Sequence, residues 1–504
     1  MTLKLYPITA LPGLKRDGTP YSNNYYIDGQ WVRFQRNLPR KIGGYKQLIG
    51  TLPYIIRGLY VEPVGSQLNV YIGDQASVKY LPLDQFGNVT GALVDRTPAG
   101  FIANANYQWK FDTMFVSTNN ANMLFAYPCQ NLADIDSTIN TPIYYGLADM
   151  SAPMMPTGMS VSGGIVALAP YLVMYGNDGT VMISNINDPT TLLATTRVTS
   201  QKIVQGKQVR GGNSSPAALL WSLDSVVRMT QAGVNDVISF RYDTLTDESS
   251  ILSSNSVIEY DSRYFWIGVD KFYIYNGVVQ ELPNDLNHNY FFTNLNYQYR
   301  QKIWATKVPL FGEIWWFYPH GNATECNHAI IFNVKQNTWY DTAIHRSSGY
   351  YPQVFPYPIW ADNIASASTY SLWMHETGYD QVQGNVTIPI ESYFETADIS
   401  WCAVDPSGQW NGTDRWVNLV SIEPDFATQV GTMQLTVHTK DYAQANTISY
   451  GTYALTPGLT KQDLQGGGVQ GRFMTLLFFN DDLGGNYQLG QTLLLAGIGD
   501  ARRS

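Results

Sequence analysis

Hydrophobic and polar positions along this chain alternate in short bursts and do not recur at helical spacing. Bursts begin at Leu68 (LNVYIGD), Phe111 (FDTMFVST), Tyr171 (YLVMYGNDGTVMIS), Ala217 (AALLWSLDSVVRMT), Arg263 (RYFWIGVDKFYIYNG), Ile314 (IWWFYPHG) and Ser371 (SLWMHETG). Alternation with a period of two is the pattern of a strand. The bursts lie roughly 40–60 residues apart, the interval of propeller blades that each hold several strands. Asn177-Asp178-Gly179 and Asn276-Gly277 stand between alternating segments, where tight hairpin turns need residues that tolerate positive φ. The pattern predicts an all-β chain with a β-propeller of about five to seven irregular blades over residues 46–390.

Beyond Glu391 the rhythm changes. VNLVSIEPDF, TMQLTVHTK, GRFMTLLFFN and QTLLLAGIG read as four longer strands joined by polar or glycine-rich turns, which predicts a C-terminal β-sandwich platform domain over 391–504. Residues 1–45 are too irregular for a blade. They read as an arm that packs on the platform or on a neighbouring subunit. The aromatic-tipped insertion from Asn284 to Arg300 reads as an exposed contact loop.

Composition agrees with this picture. Charged residues make up 14% and aromatics 13%, with 35 Tyr and 13 Trp, which suits strands buried on both faces better than a helical bundle. Cys129, Cys326 and Cys402 have no repeating spacing, so they predict buried thiols and neither a disulfide framework nor a metal knuckle. The opening MTLKLY leads into a Pro/Gly turn, not a secretory core, and no apolar run approaches the ~20 residues that span a bilayer. Folding in a cytoplasm without membrane insertion is the expectation.

Net charge is −9, unevenly placed. The first fifty residues hold Lys4, Lys15, Arg16, Arg33, Arg36, Arg40, Lys41 and Lys46 against Asp17 and Asp28, so a basic end precedes an acidic body. Arg33, Arg36, Arg40 and Lys41, with Arg502 and Arg503 at the other terminus, are candidates for contact with a partner at the platform. A second basic stretch, Thr190 to Leu223, carries Arg197, Lys202, Lys207 and Arg210 without an acidic residue and ends in Gly211-Gly212-Asn213-Ser214-Ser215. Such a flexible segment is a candidate contact for DNA phosphates or for an acidic patch on the next subunit.

Motifs for chemistry do not complete themselves. Gly466 to Gly471 matches G-x-G-x-x-G, but a strand follows where a phosphate-cradling helix is needed. His375-Glu376 opens a zinc-protease motif whose second histidine is replaced by Tyr379. His320, Cys326 and His328 share one polar loop without an evident fourth ligand. No G-x-S-x-G elbow occurs. Gly176-Asn177-Asp178-Gly179-Thr180 departs from the sialidase turn, because Asp directly precedes Gly and no Trp follows. A carboxylate pair such as Glu376 and Asp380 would have to converge in space to hydrolyse a glycoside. The residues therefore indicate no enzyme, cofactor or metal.

Several separated stretches resemble the tail hub, or nozzle, family of short-tailed bacteriophages. Val32 to Tyr45 resembles the family's opening, an Arg-Phe strand before a Pro-basic-Ile-Gly-Gly turn. Tyr171 to Pro189 resembles a blade with an Asn-Asp-Gly turn and an Asn-Asp-Pro exit. Phe265 to Asn284 and Leu372 to Glu376 resemble later blades, and Gly471 to Gly490 resembles the strands before the basic C-terminus. The resemblance implies a structural virion protein of the viral tail, assembled in the host cytoplasm as a homo-oligomer, a hexamer. Its implied partners are a portal–adaptor ring, tail fibres or spikes, and double-stranded DNA passing through the lumen without sequence readout. The alternative is a propeller that binds or cleaves host-surface glycans. A third reading is a receptor-binding tail component that presents its propeller loops without closing a tube.

Overall fold

The computed structural model describes residues 3–501 except 9, 23, 98–100, 102, 118–119, 130–144, 147–162, 177–178, 210–215, 233–238 and 401–414. The all-β expectation holds. The described residues form ten sheets, with a single α-helix, His288–Asn294.

Seven of these sheets follow one another along the middle of the chain. Six of them open with the strands Gly58–Val64, Gln108–Val116, Gly164–Leu168, Ile203–Gln208, Ile258–Tyr260 and Trp304–Val308, and each continues as an antiparallel meander. The seventh, Ser348–Tyr350, Ile359–Ala361 and Tyr370–His375, receives Tyr45–Leu52 as its next strand, antiparallel to Tyr370–His375. Asp380–Gln383 and Val386–Pro389 extend its far side. Each of the seven hydrophobic bursts falls in a different one of these sheets.

The alternation explains how neighbours are held. In strand Arg263–Ile267, Tyr264 and Trp266 share a core with Trp221 of the fourth sheet, while Phe265 and Ile267 share one with Phe332 and Trp339 of the sixth. Strand Glu313–Tyr318 divides in the same way, with Trp315 and Phe317 meeting Trp360 of the seventh sheet and Ile314, Trp316 and Tyr318 facing the fifth. Burial on both faces turns period-two strands into unbroken buried runs. Further shared cores join the first sheet to the second and the seventh, the second to the third, and the third to the fourth. Close approach is built in. A Cβ on Gly73 would lie 2.3 Å from Cγ of Trp109, whose indole Nε1 donates to the Asp74 carbonyl at 2.7 Å.

The remaining three sheets interleave the two ends of the chain. One runs Leu11–Leu14, Tyr25–Gln30, Ser392–Thr396, Phe473–Asn480, Met433–Lys440, Ile448–Leu455. A second pairs Lys4–Pro7 with Leu493–Ala501 and then Arg415–Glu423, and a third joins Phe426–Val430, Asn486–Leu489, Leu38–Lys41 and Val32–Gln35. Leu435, Val437, Leu476 and Phe478 meet Val417, Leu419, Leu494 and Ala496 in one core. All four long strands read beyond Glu391 are strands here. Arg36 (φ 53°) and Asn37 (φ 65°) form the two-residue turn between Val32–Gln35 and Leu38–Lys41, a hairpin type that requires left-handed backbone.

One expectation is overturned. The stretch from Asn284 to Arg300 is not an exposed loop: Asn284, Leu286, Asn287 and Phe291 are buried, and the helix packs on Trp316 and Trp339. The helix His288–Asn294 is only seven residues long and its aromatics Tyr290, Phe291 and Phe292 are consecutive, so no helical period could be read from it.

Candidate functional site: the central cavity and the platform edge

The opening strands of all seven sheets line one cavity of about 450 Å³, within the range of small-molecule sites. Arg57, Lys110, Lys207, Lys307, Asp112 and Glu259 supply its charges. Most of these are engaged. Arg57 makes a bidentate pair with Glu325 at 2.7 and 2.8 Å, and Lys307 meets Glu259 at 3.1 Å. Asp112 accepts the amides of Thr113 at 2.9 Å and Ala167 at 2.7 Å. Lys110 differs. Its ammonium donates to the neutral Oδ1 of Asn255, and burial, reinforced by Lys207, lowers its pKa to about 7. Gln205 and Ser348 are also among the lining residues, each more than nine-tenths buried; their Oε1 and Oγ atoms are themselves occluded and have no hydrogen-bond partner among the described residues.

The predicted contact residues scatter. Arg33 is 1% exposed. Its Nε lies 2.8 Å from Glu313 Oε1, its Nη1 donates to Glu376 Oε2 at 2.9 Å, and its guanidinium lies 3.7 Å from the centroid of the Phe311 ring. Burial acts to lower the Arg33 pKa, but Glu313 and Glu376 outweigh it and the net shift is upward. Lys41 is also buried, donates to Asn480 Oδ1 at 3.0 Å, and has its pKa lowered by burial to about 8. Neither can be the surface contact its charge suggested, because each is consumed inside the chain. Arg36 is exposed at its hairpin turn, and Arg40 is half-buried, donating to Gln35 Oε1 and, at 3.4 Å, to the Tyr379 hydroxyl.

The described residues of the basic stretch from Thr190 to Leu223 are mostly strand. Asp188–Arg197 is the last strand of the third sheet, and Ile203–Gln208 and Ala217–Ser222 are the first two of the fourth. Arg197 is exposed, whereas Lys202 is buried and Lys207 faces the cavity. Lys202 is therefore removed from any DNA surface. Arg210, Gly211 to Ser215, Asn177, Asp178, Cys402, Arg502 and Arg503 lie outside the described residues.

The remaining candidates are committed to structure. His375 is fully enclosed and accepts at Nε2 from Arg346 Nε, 2.9 Å away. Burial and that arginine hold it neutral, its pKa well below the ordinary histidine value. Glu376, at φ 60°, is tied to Arg33, and Asp380 accepts the Gly484 amide at 2.9 Å. His320 and His328 stack at 4.7 Å, but His328 bonds Asp341, His320 bonds the Tyr290 hydroxyl, and Cys326 Sγ donates to the Lys302 carbonyl. Among the described residues no group of three or more His, Cys, Asp or Glu could hold a metal. No helix among them is long and apolar enough to cross a membrane.

Sequence reasoning missed Lys110, Gln205 and Asn255. One signal was available: Lys110 interrupts an apolar strand between Trp109 and Phe111, a place where a cation must find a polar interior.

At the platform, strand Ile448–Leu455 is the outermost of its sheet, and residues 448–452 are exposed on both faces, with Ile448 at 50% and Tyr450 at 39%. Among the described residues no strand pairs with its outer side. The opposite edge, Leu11–Leu14, is covered: Thr338 Oγ1 donates to the Pro12 carbonyl at 2.6 Å. Leu3 and Leu5 are exposed beside and on Lys4–Pro7, the edge of the second platform sheet. No protein-family model and no curated protein matches this chain.

Proposed function

We propose that this chain is a structural tail hub of a short-tailed bacteriophage, a ring-forming subunit that closes the tail tube, retains packaged DNA and provides its exit channel. The seven consecutive sheets are read as propeller blades, with Tyr45–Leu52 supplying a strand to the last and so fastening the ends of the array. This reading accounts for the shared cores running from each sheet to the next and from the seventh to the first.

The observation that carries the hub reading is the uncharged edge strand Ile448–Leu455, exposed on both faces over residues 448–452. An open edge of this kind is a template for pairing with another chain, and soluble monomers usually blunt it with charge or proline. Identical subunits joined head to tail through such an edge close into a ring when the rotation allows. The net charge of −9 favours a bore that repels the phosphate backbone and lets DNA slide. The interleaving of both termini in the platform gives that ring a rigid base. The glycan-cleaving alternative gains nothing from the cavity, where Asp112 is held by two amides and Glu259 by Lys307.

Negative-stain microscopy of the purified chain, alone and mixed with a portal–adaptor complex, tests the proposal. Rings with a central bore on the complex are expected. Chains that remain monomeric and ignore the portal overturn it.

A further inference from the structure

We propose that His375 makes the join between strand Tyr45–Leu52 and the seventh sheet an acid-sensitive clasp, closed while the imidazole is neutral and opened when it takes up a proton. Tyr45–Leu52 comes from before the first sheet in the chain, and its first residue, Tyr45, pairs with His375. Geometry fixes the charge of that histidine. Its Nε2 accepts the Arg346 Nε–H at 2.9 Å, and a ring nitrogen that accepts a hydrogen bond carries no proton. Protonation turns it into a donor facing a donor and sets a second cation against the guanidinium. His375 is 2% exposed and Arg346 4%, so water does little to screen the repulsion.

The groups packed around this pair direct the strain to one strand. Trp360 of Ile359–Ala361 lies 3.9 Å from the imidazole, and Tyr45 stacks on it at 5.0 Å and on the Arg346 guanidinium at 4.7 Å. The neighbouring carboxylates are engaged: Asp362 accepts from the Ser371 amide and Trp373 Nε1 at 2.9 and 2.8 Å, Glu376 is held by Arg33, and Asp380 accepts the Gly484 amide. His345 and Lys46 are exposed. Trp360 and Arg346 are enclosed, whereas Tyr45 is half-buried, so Tyr45 is the member of the cluster that can move aside and admit water. Its other side is held by the short parallel pairing of Gln381 with Tyr45 and Val382 with Lys46. The sign follows from the neutral folded histidine, whose pKa burial and Arg346 hold well below the ordinary 6.5. Above pH 6.5 neither the closed nor the open form binds the proton, and the clasp has its full strength. Below pH 6.5 the open form binds a proton that the closed form lacks, and closure weakens by about tenfold per pH unit.

This inference rests on the strand pairing and not on the hub reading, so either can fail alone. Hydrogen exchange of the full chain, read by mass spectrometry from about pH 7.5 to about pH 5 and corrected for intrinsic exchange rates, tests it. Protection of the peptide covering Tyr45–Leu52 is expected to fall by about tenfold per unit below pH 6.5. Ala217–Ser222 of the fourth sheet, which contains no titratable side chain, should keep its protection. H375Q offers an amide oxygen to the same guanidinium and does not titrate, so it should flatten the fall at Tyr45–Leu52 and separate the histidine from the carboxylates nearby. The proposal is overturned if Tyr45–Leu52 stays protected at about pH 5, if the two peptides lose protection in step, or if H375Q follows the wild-type profile. Should the variant fail to fold, the comparison of the two wild-type peptides decides by itself.

Discussion

Two buried cations show what separates the joint of this molecule from its centre. Arg33 sits where the N-terminal strands meet the sixth sheet and the end of the seventh, and two carboxylates and a phenyl ring surround it. Lys110 sits where seven sheets converge, and a neutral amide is its hydrogen-bond partner. Burial opposes both charges. At the joint, Glu313 and Glu376 overcome that penalty, so the arginine stays charged and locks three parts of the chain together. At the centre nothing comparable offsets it, and the lysine pKa falls to about 7. A matched buried charge fixes architecture, whereas an unmatched one leaves chemistry available.

The largest test of this contrast removes the arginine. R33M leaves Glu313 buried without its counter-charge, while Tyr340 and Trp315 still donate to it at 2.6 and 2.8 Å. Loss of one partner of a buried pair costs about 3–5 kcal/mol, so the urea midpoint should fall steeply. Adding E313Q should recover part of the loss, because the orphaned charge goes with it. If R33M unfolds at the wild-type midpoint, the joint is not held by this pair and the comparison collapses.

At the centre the sign reverses. The folded-state pKa of Lys110, about 7, lies below the ordinary lysine value of 10.5. Below pH 7 both the folded and the unfolded chain carry the proton, and the native state bears the full burial penalty. Between about pH 7 and 10.5 the unfolded chain binds the extra proton, so wild-type stability rises with pH across that window. K110M should therefore be more stable than wild type at pH 6.5, and the gap should close towards pH 10.5. At roughly 1.4 kcal/mol per unit, the change across the window is a few kcal/mol. Denaturation curves across that window measure it. A gap that does not vary with pH would mean that Lys110 is as well solvated as a surface lysine.

Much of the central architecture was legible because its signal is local. Bursts such as RYFWIGVDKFYIYNG carry the strand period and the Asn-Gly turn within fifteen residues, and each of the seven marks a separate sheet. MQLTVHTK shows its half-buried alternation residue by residue. What could not be read depends on partners far along the chain. Tyr45–Leu52 pairs with Tyr370–His375 and Lys4–Pro7 with Leu493–Ala501, separations that leave no periodic trace. The same distance concealed the fates of the basic residues. Nothing near Arg33 announces Glu313 and Glu376, so its charge reads as surface. Lys207 reads as part of a mobile basic segment until strand alternation turns it towards the cavity.

The smallest expected effect on stability falls at the platform edge, and it sharpens the contrast from outside. Tyr450 lies in the stretch 448–452, exposed on both faces and with no strand among the described residues on its outer side, so Y450K removes few contacts within the chain. Its change in unfolding free energy should stay within about 0.5 kcal/mol. Association should respond differently, because a lysine on an open strand is one of the devices that discourage edge-to-edge pairing. Under the proposed hub function, sedimentation velocity with the portal–adaptor complex should show the ring population sharply reduced while the monomer's melting curve is unchanged. A variant that still forms rings would move the subunit interface away from this strand. A variant that melts as early as R33M would mean that the edge is packed as tightly as the joint, and exposure would no longer distinguish the surfaces reserved for neighbours from those that hold one chain together.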